Sequence, residues 1–422
     1  MCIFLSWRNE LESEKIKTKV ILAAVDIGEY DMDSSIKELE ELTHTAGGEV
    51  VGVITQKRPA YDPGTCIGAG RLKEMCRVIE ELQAELIIFD SELSATQIRN
   101  IEIETNLRVI DRTMLILDIF ASRARTSEGK LQVELAQQKY RLPRLAGMGT
   151  ALSRLGGGIG TRGPGESKLE TDKRHIRKRI NILEEELKHL EERRIRQRSR
   201  RKKDSVLTAA IVGYTNAGKS TLLNALTSAG VLAENKLFAT LDTTSRSIDL
   251  PDGRSVLLVD TVGFIRRLPH SLIEAFKSTL EEAASADLIL EIIDSSSPEA
   301  EEHVKVTGEL LDELGCSDIP HIYVLNKCDI EGEEPWLPSN HPSVRISAKN
   351  KTGFDELIKT ITANLPETAK LMNLCIPYTM TSLLNKIREC GKVLSESFEE
   401  DGTHVTALVD VRLVSKCSEY EI

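Results

Sequence analysis

The first 120 residues alternate short apolar runs with amphipathic stretches. The apolar runs predict strands over residues 20–27, 49–56, 85–90 and 107–111. The amphipathic stretches predict helices over residues 34–45, 72–82 and 95–104. Because strands that alternate with helices generally form parallel sheets, we expect the N-terminal part to be a small parallel α/β domain.

From residue 128 onward the apolar positions recur at steps of three and four. They are Leu131, Leu135, Leu142, Leu145, Ile176, Ile180, Leu183, Leu187 and Leu190. This spacing predicts two amphipathic helices that pair as an antiparallel hairpin. Residues 147–165 between them contain eight glycines. Residues 158–163 match the dinucleotide fingerprint by letter, but no strand precedes them and Pro164 follows, so we expect either a tip that reaches into a nucleic-acid surface or a disordered linker.

The remaining sequence returns to strands and helices. Apolar strands are predicted over residues 206–212, 256–259, 321–325 and 343–346, followed by a helix over 381–389 and a hairpin with strands 393–398 and 404–411. The predicted fold class is α/β, with four parts in chain order. These are an N-terminal α/β domain (1–122), a basic helical hairpin with a Gly-rich loop (123–204), a P-loop G domain (205–366) and a small α+β C-terminal domain (367–422).

The composition indicates the type of protein and its cellular location. The 422 residues are 41% hydrophobic and 29% charged, which is typical of a soluble folded protein. No apolar run approaches the ~18 to 20 residues of a membrane span, and the N-terminus lacks the basic lead of a signal peptide. We therefore expect a cytoplasmic, monomeric protein with no membrane span.

The net charge of −11 is unevenly distributed. Residues 123–203 contain 23 basic and 10 acidic residues, so the rest of the chain carries −24. Eight of the eleven residues 193–203 are basic and none is acidic. This run predicts a polyanionic partner, RNA or DNA, and the 4% aromatic content favours recognition of backbone and shape over base stacking.

The eight cysteines contain no Cys-x-x-Cys pair and no histidine at zinc-finger spacing. This spacing argues against a zinc site and against a disulfide framework. The eight histidines also form no ligand cluster along the sequence, so we expect them to be structural or surface residues.

A phosphate-binding loop follows the strand 206–212. It comprises Gly213, Tyr214, Thr215, Asn216, Ala217, Gly218, Lys219 and Ser220. The glycines allow backbone N–H groups to surround the β-phosphate, Lys219 reaches the β- and γ-phosphates, and the Ser220 hydroxyl coordinates magnesium. No residue is assigned as the catalytic base, and Lys219 is the best catalytic candidate through its phosphate contact.

Three further motifs indicate the nucleotide. Asp260, Thr261, Val262 and Gly263 follow a strand and place a carboxylate beside magnesium and a glycine N–H at the γ-phosphate. Asn326, Lys327, Cys328 and Asp329 end the next predicted strand, where a carboxylate accepts hydrogen bonds from the guanine N1–H and 2-amino group. Ser347, Ala348 and Lys349 complete the predicted base pocket. Together these motifs predict GTP as the substrate and Mg²⁺ as the cofactor.

A second magnesium ligand is expected between the phosphate loop and Asp260. The segment Phe238, Ala239, Thr240, Leu241 and Asp242 supplies a hydroxyl. Thr240 is the predicted switch residue that completes the magnesium shell with Ser220, and Thr243 and Thr244 are nearby competitors.

These residues resemble the HflX family of translation-factor-related GTPases. The resemblance rests on residues 238–242 and 260–264, on residues 160–166 (Gly-Thr-Arg-Gly-Pro-Gly-Glu), and on residues 129–137 and 142–145. It implies binding to the large ribosomal subunit and its RNA, with the N-terminal sheet and the hairpin on the RNA and the loop directed toward the peptidyl-transferase region. It also implies that the GTP-bound protein favours separated subunits.

The chain departs from the family at Thr243, where a proline usually follows the Asp of the switch motif. Like the family, it has Phe264 where Ras-like GTPases carry a water-positioning glutamine. A phenyl ring cannot orient the attacking water, so we expect intrinsic turnover on the order of 10⁻³ per second or below. Arg266 and Arg267 are candidates to assist, to contact a partner, or to remain solvated.

The function expected from the sequence is therefore a GTPase that associates with the large ribosomal subunit and splits or rescues ribosomes. Two alternatives stay open. One is a GTPase that acts on another structured RNA in ribosome assembly, and the other is a GTP-gated binding module in which hydrolysis is incidental.

Overall fold

The computed structural model describes residues 17–153, 164–203, 206–227, 237–238, 244–267, 282–332, 335–338, 340–367 and 369–422. The chain forms two compact units. The first contains Met1–Glu191, Glu234–Asp242 and Ile265–Thr279, and the second contains Glu192–Ala233, Thr243–Phe264 and Leu280–Ile422. None of the helices within the described ranges is long and apolar enough to cross a membrane.

The first unit begins with a four-stranded sheet of order β2-β1-β3-β4, in which every pair is parallel. Its strands are β1 (Thr18–Asp26), β2 (Gly48–Lys57), β3 (Leu86–Phe89) and β4 (Arg108–Asp111). The intervening helices are α1 (Met32–Ala46), α2 (Ala69–Leu82) and α3 (Ala95–Thr105). The predicted parallel α/β arrangement is confirmed, and apolar side chains of β1 and β3 form the core with α2 and α3.

Helix α4 (Arg112–Arg123) follows β4 directly and was not expected from the sequence. Its residues from Arg112 to Phe120 are nearly all buried, and it packs against α1 and against the following helix. A helix that is buried on nearly all sides lacks the one-sided pattern by which amphipathic helices are recognised.

Helices α5 (Ser127–Ser153) and α6 (Pro164–Lys203) correspond to the predicted helical pair. Leu135, Ile180 and Leu183 form the buried centre of their contact, surrounded by Leu131, Leu142, Ile176 and Leu187. Helix α5 continues through the first seven residues of the predicted 147–165 loop, because glycine in a helix costs only about 1 kcal/mol. Residues 154–163 of that loop lie outside the described residues.

The second unit contains a six-stranded sheet of order β10-β9-β8-β5-β7-β6. Its strands are β5 (Leu207–Val212), β6 (Thr244–Asp249), β7 (Ser255–Asp260), β8 (Leu288–Asp294), β9 (His321–Asn326) and β10 (Ser343–Arg345). All pairs are parallel except β6 with β7. Helices α7 (Lys219–Thr227), α8 (Ala300–Glu313) and α9 (Phe354–Asn364) connect the strands.

A three-stranded antiparallel sheet of order β11-β13-β12 follows in the same unit. It consists of β11 (Ala369–Ile376), β12 (Lys392–Glu399) and β13 (Gly402–Asp410). Helices α10 (Thr381–Cys390) and α11 (Val411–Cys417) complete this α+β part, and the short 3-10 helices are Tyr378–Met380 and Ser418–Tyr420. The hairpin β12–β13 was expected from the sequence, whereas the pairing of β11 was not.

Candidate nucleotide-binding site

The predicted phosphate loop joins the end of β5 to the start of α7. Gly213 and Gly218 adopt φ values of 136° and 101°, and Asn216 also has a positive φ of 64°. A Cβ atom at Gly213 would lie 2.3 Å from the Ile292 carbonyl oxygen, and one at Gly218 would lie 2.2 Å from Asn326 Nδ2. Both positions therefore require glycine for backbone conformation and for space.

Lys219 is buried at the first turn of α7. Its Nζ donates to the carbonyl oxygens of Gly213 at 3.0 Å and Tyr214 at 2.7 Å. Burial lowers the pKa of Lys219 to about 8, against the opposing effect of the Asp260 carboxylate. A cation held inside a glycine loop at a helix N-terminus is suited to bind phosphate.

Ser220 lies in the first turn of α7 and contacts Asp260 at the end of β7. The Ser220 hydroxyl donates to Asp260 Oδ2 at 2.9 Å. Asp260 is fully buried at the end of β7. A hydroxyl and a carboxylate form the kind of all-oxygen set that Mg²⁺ prefers, so these residues fit the expected metal.

The segment after Asp260 crosses directly over the phosphate loop. Thr261 donates to the Ile211 carbonyl oxygen from its N–H at 3.2 Å and its hydroxyl at 2.8 Å. A Cβ at Gly263 would lie 2.9 Å from Lys219 Nζ, so only glycine allows this close approach. Val262, between them, is buried.

Phe264 is a core residue. Its N–H donates to the Gly213 carbonyl oxygen at 3.1 Å, and its carbonyl oxygen accepts from the Thr215 N–H at 2.8 Å. The ring is 2% exposed and packs in a cluster with Ala210, Val212, Ala283, Ile289, Leu311 and Cys316. The Phe264 side chain therefore forms part of the hydrophobic core.

The predicted guanine motif lies at the ends of β9 and β10. Asn326 Nδ2 donates to the Ala217 carbonyl oxygen at 2.8 Å, and its Oδ1 accepts from the Ala348 N–H at 2.9 Å. Asn326 thus joins the phosphate loop to the loop containing Ser347, Ala348 and Lys349. The sequence placed Asn326 in the base pocket but did not reveal this bracing contact, which depends on tertiary packing.

The other residues of this motif surround an exposed carboxylate. Asp329 accepts from the Ser347 hydroxyl at 2.6 Å, and this bond lowers the pKa of Asp329. Lys327 has a φ of 65° and forms an ion pair with Asp294 at 2.6 Å. The Cys328 thiol donates to the Leu325 carbonyl oxygen at 3.2 Å. The ionised Asp329 carboxylate is available to accept hydrogen bonds from a base.

The sequence did not reveal the stacking of Tyr214 on His303. Their ring centroids are 3.8 Å apart with an interplanar angle of 11°. His303 lies in α8, and no motif links it to the phosphate loop. This contact fixes the Tyr214 ring beside the loop.

Of the predicted switch motif 238–242, the structure describes Phe238. Phe238 has a φ of 54° and is buried, with its ring 4.6 Å from that of Phe120 in an edge-to-face arrangement. Ala239, Thr240, Leu241 and Asp242 lie outside the described residues, as does Thr243.

Arg266 and Arg267 are not simply solvated. Arg267 Nη2 donates to Asp90 Oδ2 at 2.5 Å and its guanidinium lies 3.9 Å over the Tyr30 ring. Asp90 is buried and also accepts from Arg112 Nη1 at 3.0 Å. Arg112 in turn donates to the Arg266 carbonyl oxygen at 3.4 Å.

Four features together define a P-loop GTPase. They are the sheet order, the glycine loop with its buried lysine, the Ser220–Asp260 pair and the Asn326 motif at a strand end. Residues 33–121, 123–201 and 208–327 match the family models described as GTP-binding GTPase N-terminal, GTP-binding GTPase Middle Region and 50S ribosome-binding GTPase. The chain belongs to the HflX family of GTPases, and it hydrolyses GTP.

Two relatives named GTPase HflX illustrate the match. The chain is 51% identical to the protein of Caldanaerobacter subterraneus subsp. tengcongensis over 411 residues, covering 97% of this chain and 95% of that protein. It is 43% identical to the Escherichia coli K12 protein over 378 residues, covering 88% of each. A solved GTP-binding protein from Sulfolobus solfataricus in complex with GDP is 26% identical, with a TM-score of 0.44 and coverage of 82% and 98%.

Proposed function

We propose that this GTPase binds the large ribosomal subunit through ribosomal RNA, separates the ribosomal subunits in its GTP-bound form, and is released after hydrolysis. The observation that carries the proposal is the basic end of α6, in a chain whose G domain matches the model described as 50S ribosome-binding GTPase. This proposal accounts for a nucleotide switch and an RNA-binding surface in one chain.

The charge of α6 supports an RNA partner. Eight of the eleven residues 193–203 are basic, although the chain as a whole has a net charge of −11. Arg193 and Arg196 are exposed on this helix. Lysine and arginine bind phosphates independently of sequence and release counterions, so affinity of this kind falls as salt rises.

The site residues suggest how nucleotide is held. The phosphate loop from Gly213 to Ser220 would surround the phosphates, with Lys219 on the β- and γ-phosphates, while Asp329 would select guanine. Ser220 and Thr240 would hold Mg²⁺, with Asp260 beside it, and the ion would neutralise charge on the phosphates.

In this proposal, the protein alone hydrolyses GTP slowly. Phe264 is committed to the core, so it supplies no group to the attacking water. We therefore expect basal turnover on the order of 10⁻³ per second or below, and an increase when the ribosome orders the switch segments or supplies a group in trans.

The test is GTP turnover by the full chain with isolated large subunits, small subunits or no subunits. The proposal predicts at least roughly tenfold stimulation by large subunits alone, since partners that order a GTPase site typically contribute far more. Replacing residues 147–165 by a short neutral linker should remove most of the stimulation and leave basal turnover unchanged.

A matched pair of variants tests the basic helix. The double variant R193Q/R196Q should weaken large-subunit binding and reduce its salt dependence, whereas R193K/R196K should keep both. Absence of stimulation by large subunits, with normal GTP binding, would contradict the proposal. Stimulation by a protein-free structured RNA instead would favour an RNA-directed GTPase of ribosome assembly.

A further inference from the structure

Cys375, Asp401 and His404 bring three ligand atoms together on the C-terminal sheet. Cys375 in β11 pairs directly with His404 in β13. Their neighbours Leu374, Ile376 and Val405 point into the core. Because side chains alternate along strands, Cys375 and His404 share the opposite face of the sheet.

Asp401 reaches the same point from the turn between β12 and β13. Its Oδ1 lies 3.0 Å from His404 Nε2, and its Oδ2 lies 3.5 Å from Cys375 Sγ. The three ligand atoms all lie within 4.8 Å of one another. Glu399 Oε2 is a fourth donor, 3.8 Å from His404 Nε2.

The 3.5 Å separation between Cys375 and Asp401 is that of neighbouring donors in a coordination sphere, and the 3.0 Å and 3.8 Å separations from His404 lie close to it. In a tetrahedral zinc site, metal–ligand bonds of about 2.0 to 2.3 Å place the donor atoms roughly 3.3 to 3.6 Å apart. One thiolate, one imidazole and carboxylate oxygens form a donor set suited to Zn²⁺, whereas Mg²⁺ prefers oxygen alone.

The backbone holds the turn close to β11. Gly402 has a φ of 156°, and a Cβ there would lie 2.7 Å from the Ile376 carbonyl oxygen and 3.3 Å from Cys375 Sγ. Only glycine therefore allows the turn to approach this strand. Tyr378 also fixes the turn, because its hydroxyl donates to the Glu399 carbonyl oxygen at 2.7 Å.

We propose that Cys375, Asp401 and His404 bind one Zn²⁺, with Glu399 as the fourth ligand. Binding converts the Cys375 thiol to a thiolate and releases its proton to solvent. The ion would join β11 to the β12–β13 turn.

The sequence did not suggest this site, because its members are 26 and three residues apart along the chain and follow no metal motif. Strand pairing brings them together. The expectation that the histidines form no ligand cluster came from their spacing along the chain, and the fold places His404 beside two other potential metal ligands.

The test uses full-length, chelator-treated protein without nucleotide, titrated with Zn²⁺ against a chromogenic chelator. The wild type should bind about one equivalent, and C375S and H404Q should each bind at least roughly a hundredfold more weakly. Substituting Co²⁺ should give a thiolate-to-metal charge-transfer band in the wild type that is absent in C375S.

The matched control is C76S, which removes another partly exposed thiol, in helix α2. It should bind zinc like the wild type. Normal GTP binding by C375S and H404Q would show that both variants are folded, independently of any ribosome binding. Less than half an equivalent of zinc in the wild type, or equal zinc affinity in all variants, would overturn the proposal.

Discussion

Arg267 is bound to the buried carboxylate of Asp90, 177 residues earlier in the chain. Both residues belong to the first unit, and Asp90 directly follows β3. The contact therefore holds Arg267 at the carboxyl end of a strand of the N-terminal sheet.

We predict that D90N destabilises the N-terminal α/β domain by about 3 kcal/mol, because it leaves Arg267 without its buried counter-charge and removes one of the two carboxylates that pair with Arg112. The D90N/R267Q double-mutant cycle, measured by urea unfolding, should give a coupling energy of at least about 1 kcal/mol. As a control, D26N removes the exposed Lys57–Asp26 pair and should cost less than about 0.5 kcal/mol. Additive effects of D90N and R267Q would contradict the prediction.

Lys219 should make the stability of the nucleotide-free protein depend on pH. Its pKa is lowered by burial from 10.5 to about 8, so the unfolded chain binds more protons between these values and the stability contribution of Lys219 rises with pH. Relative to K219M, the wild-type free energy of unfolding should therefore increase by about 2 kcal/mol between pH 7.5 and 9.5. Paired denaturant titrations at each pH measure this difference, and a constant difference would refute it.

Asp329 should determine the selectivity of the site for the guanine base. The variant D329N replaces a carboxylate acceptor by an amide, whose N–H₂ opposes the guanine 2-amino group but suits the 2-oxygen of xanthine. GTP affinity should fall by roughly a hundredfold while XTP affinity rises, since hydrogen bonds to charged groups contribute about 1.5 to 3 kcal/mol. S347A, which removes the hydroxyl that donates to Asp329 and accepts from the Asn350 N–H, should cause a smaller loss without the gain for XTP. Fluorescence titration with both nucleotides measures these affinities. If D329N kept its preference for GTP, the prediction would be wrong.

Phe264 should tolerate only apolar replacements. F264Q places an amide in the cluster around Val212 and Leu311, and we expect it to lower the free energy of unfolding by about 2 to 4 kcal/mol without faster hydrolysis. F264L keeps most of the apolar volume and should cost about 1 kcal/mol, with basal turnover preserved. Single-turnover hydrolysis and thermal unfolding test the pair, and faster hydrolysis by a stable F264Q protein would show that the side chain can reach the water.

Local patterns predicted much of this molecule. The alternating runs gave the parallel N-terminal sheet, and the glycine spacing around Lys219 located the phosphate loop, because both features are encoded within a few residues. Helix α4 was missed because it is buried on nearly all sides. Other features join residues that are distant in sequence, so no local pattern indicates them. They are the pairing of β11 with its Cys375–His404 pair, the hydrogen bonds of Asn326, and the Arg267–Asp90 contact.

The most direct test of the central claim is the light scattering of joined ribosomes mixed with the full-length protein. With a non-hydrolysable GTP analogue, scattering should fall as the subunits separate, and the protein should sediment with the large subunit. With GDP, or with K219M and the analogue, the ribosomes should remain joined. If scattering does not change although the analogue saturates the wild-type site, the protein does not separate ribosomal subunits and the proposed function is wrong.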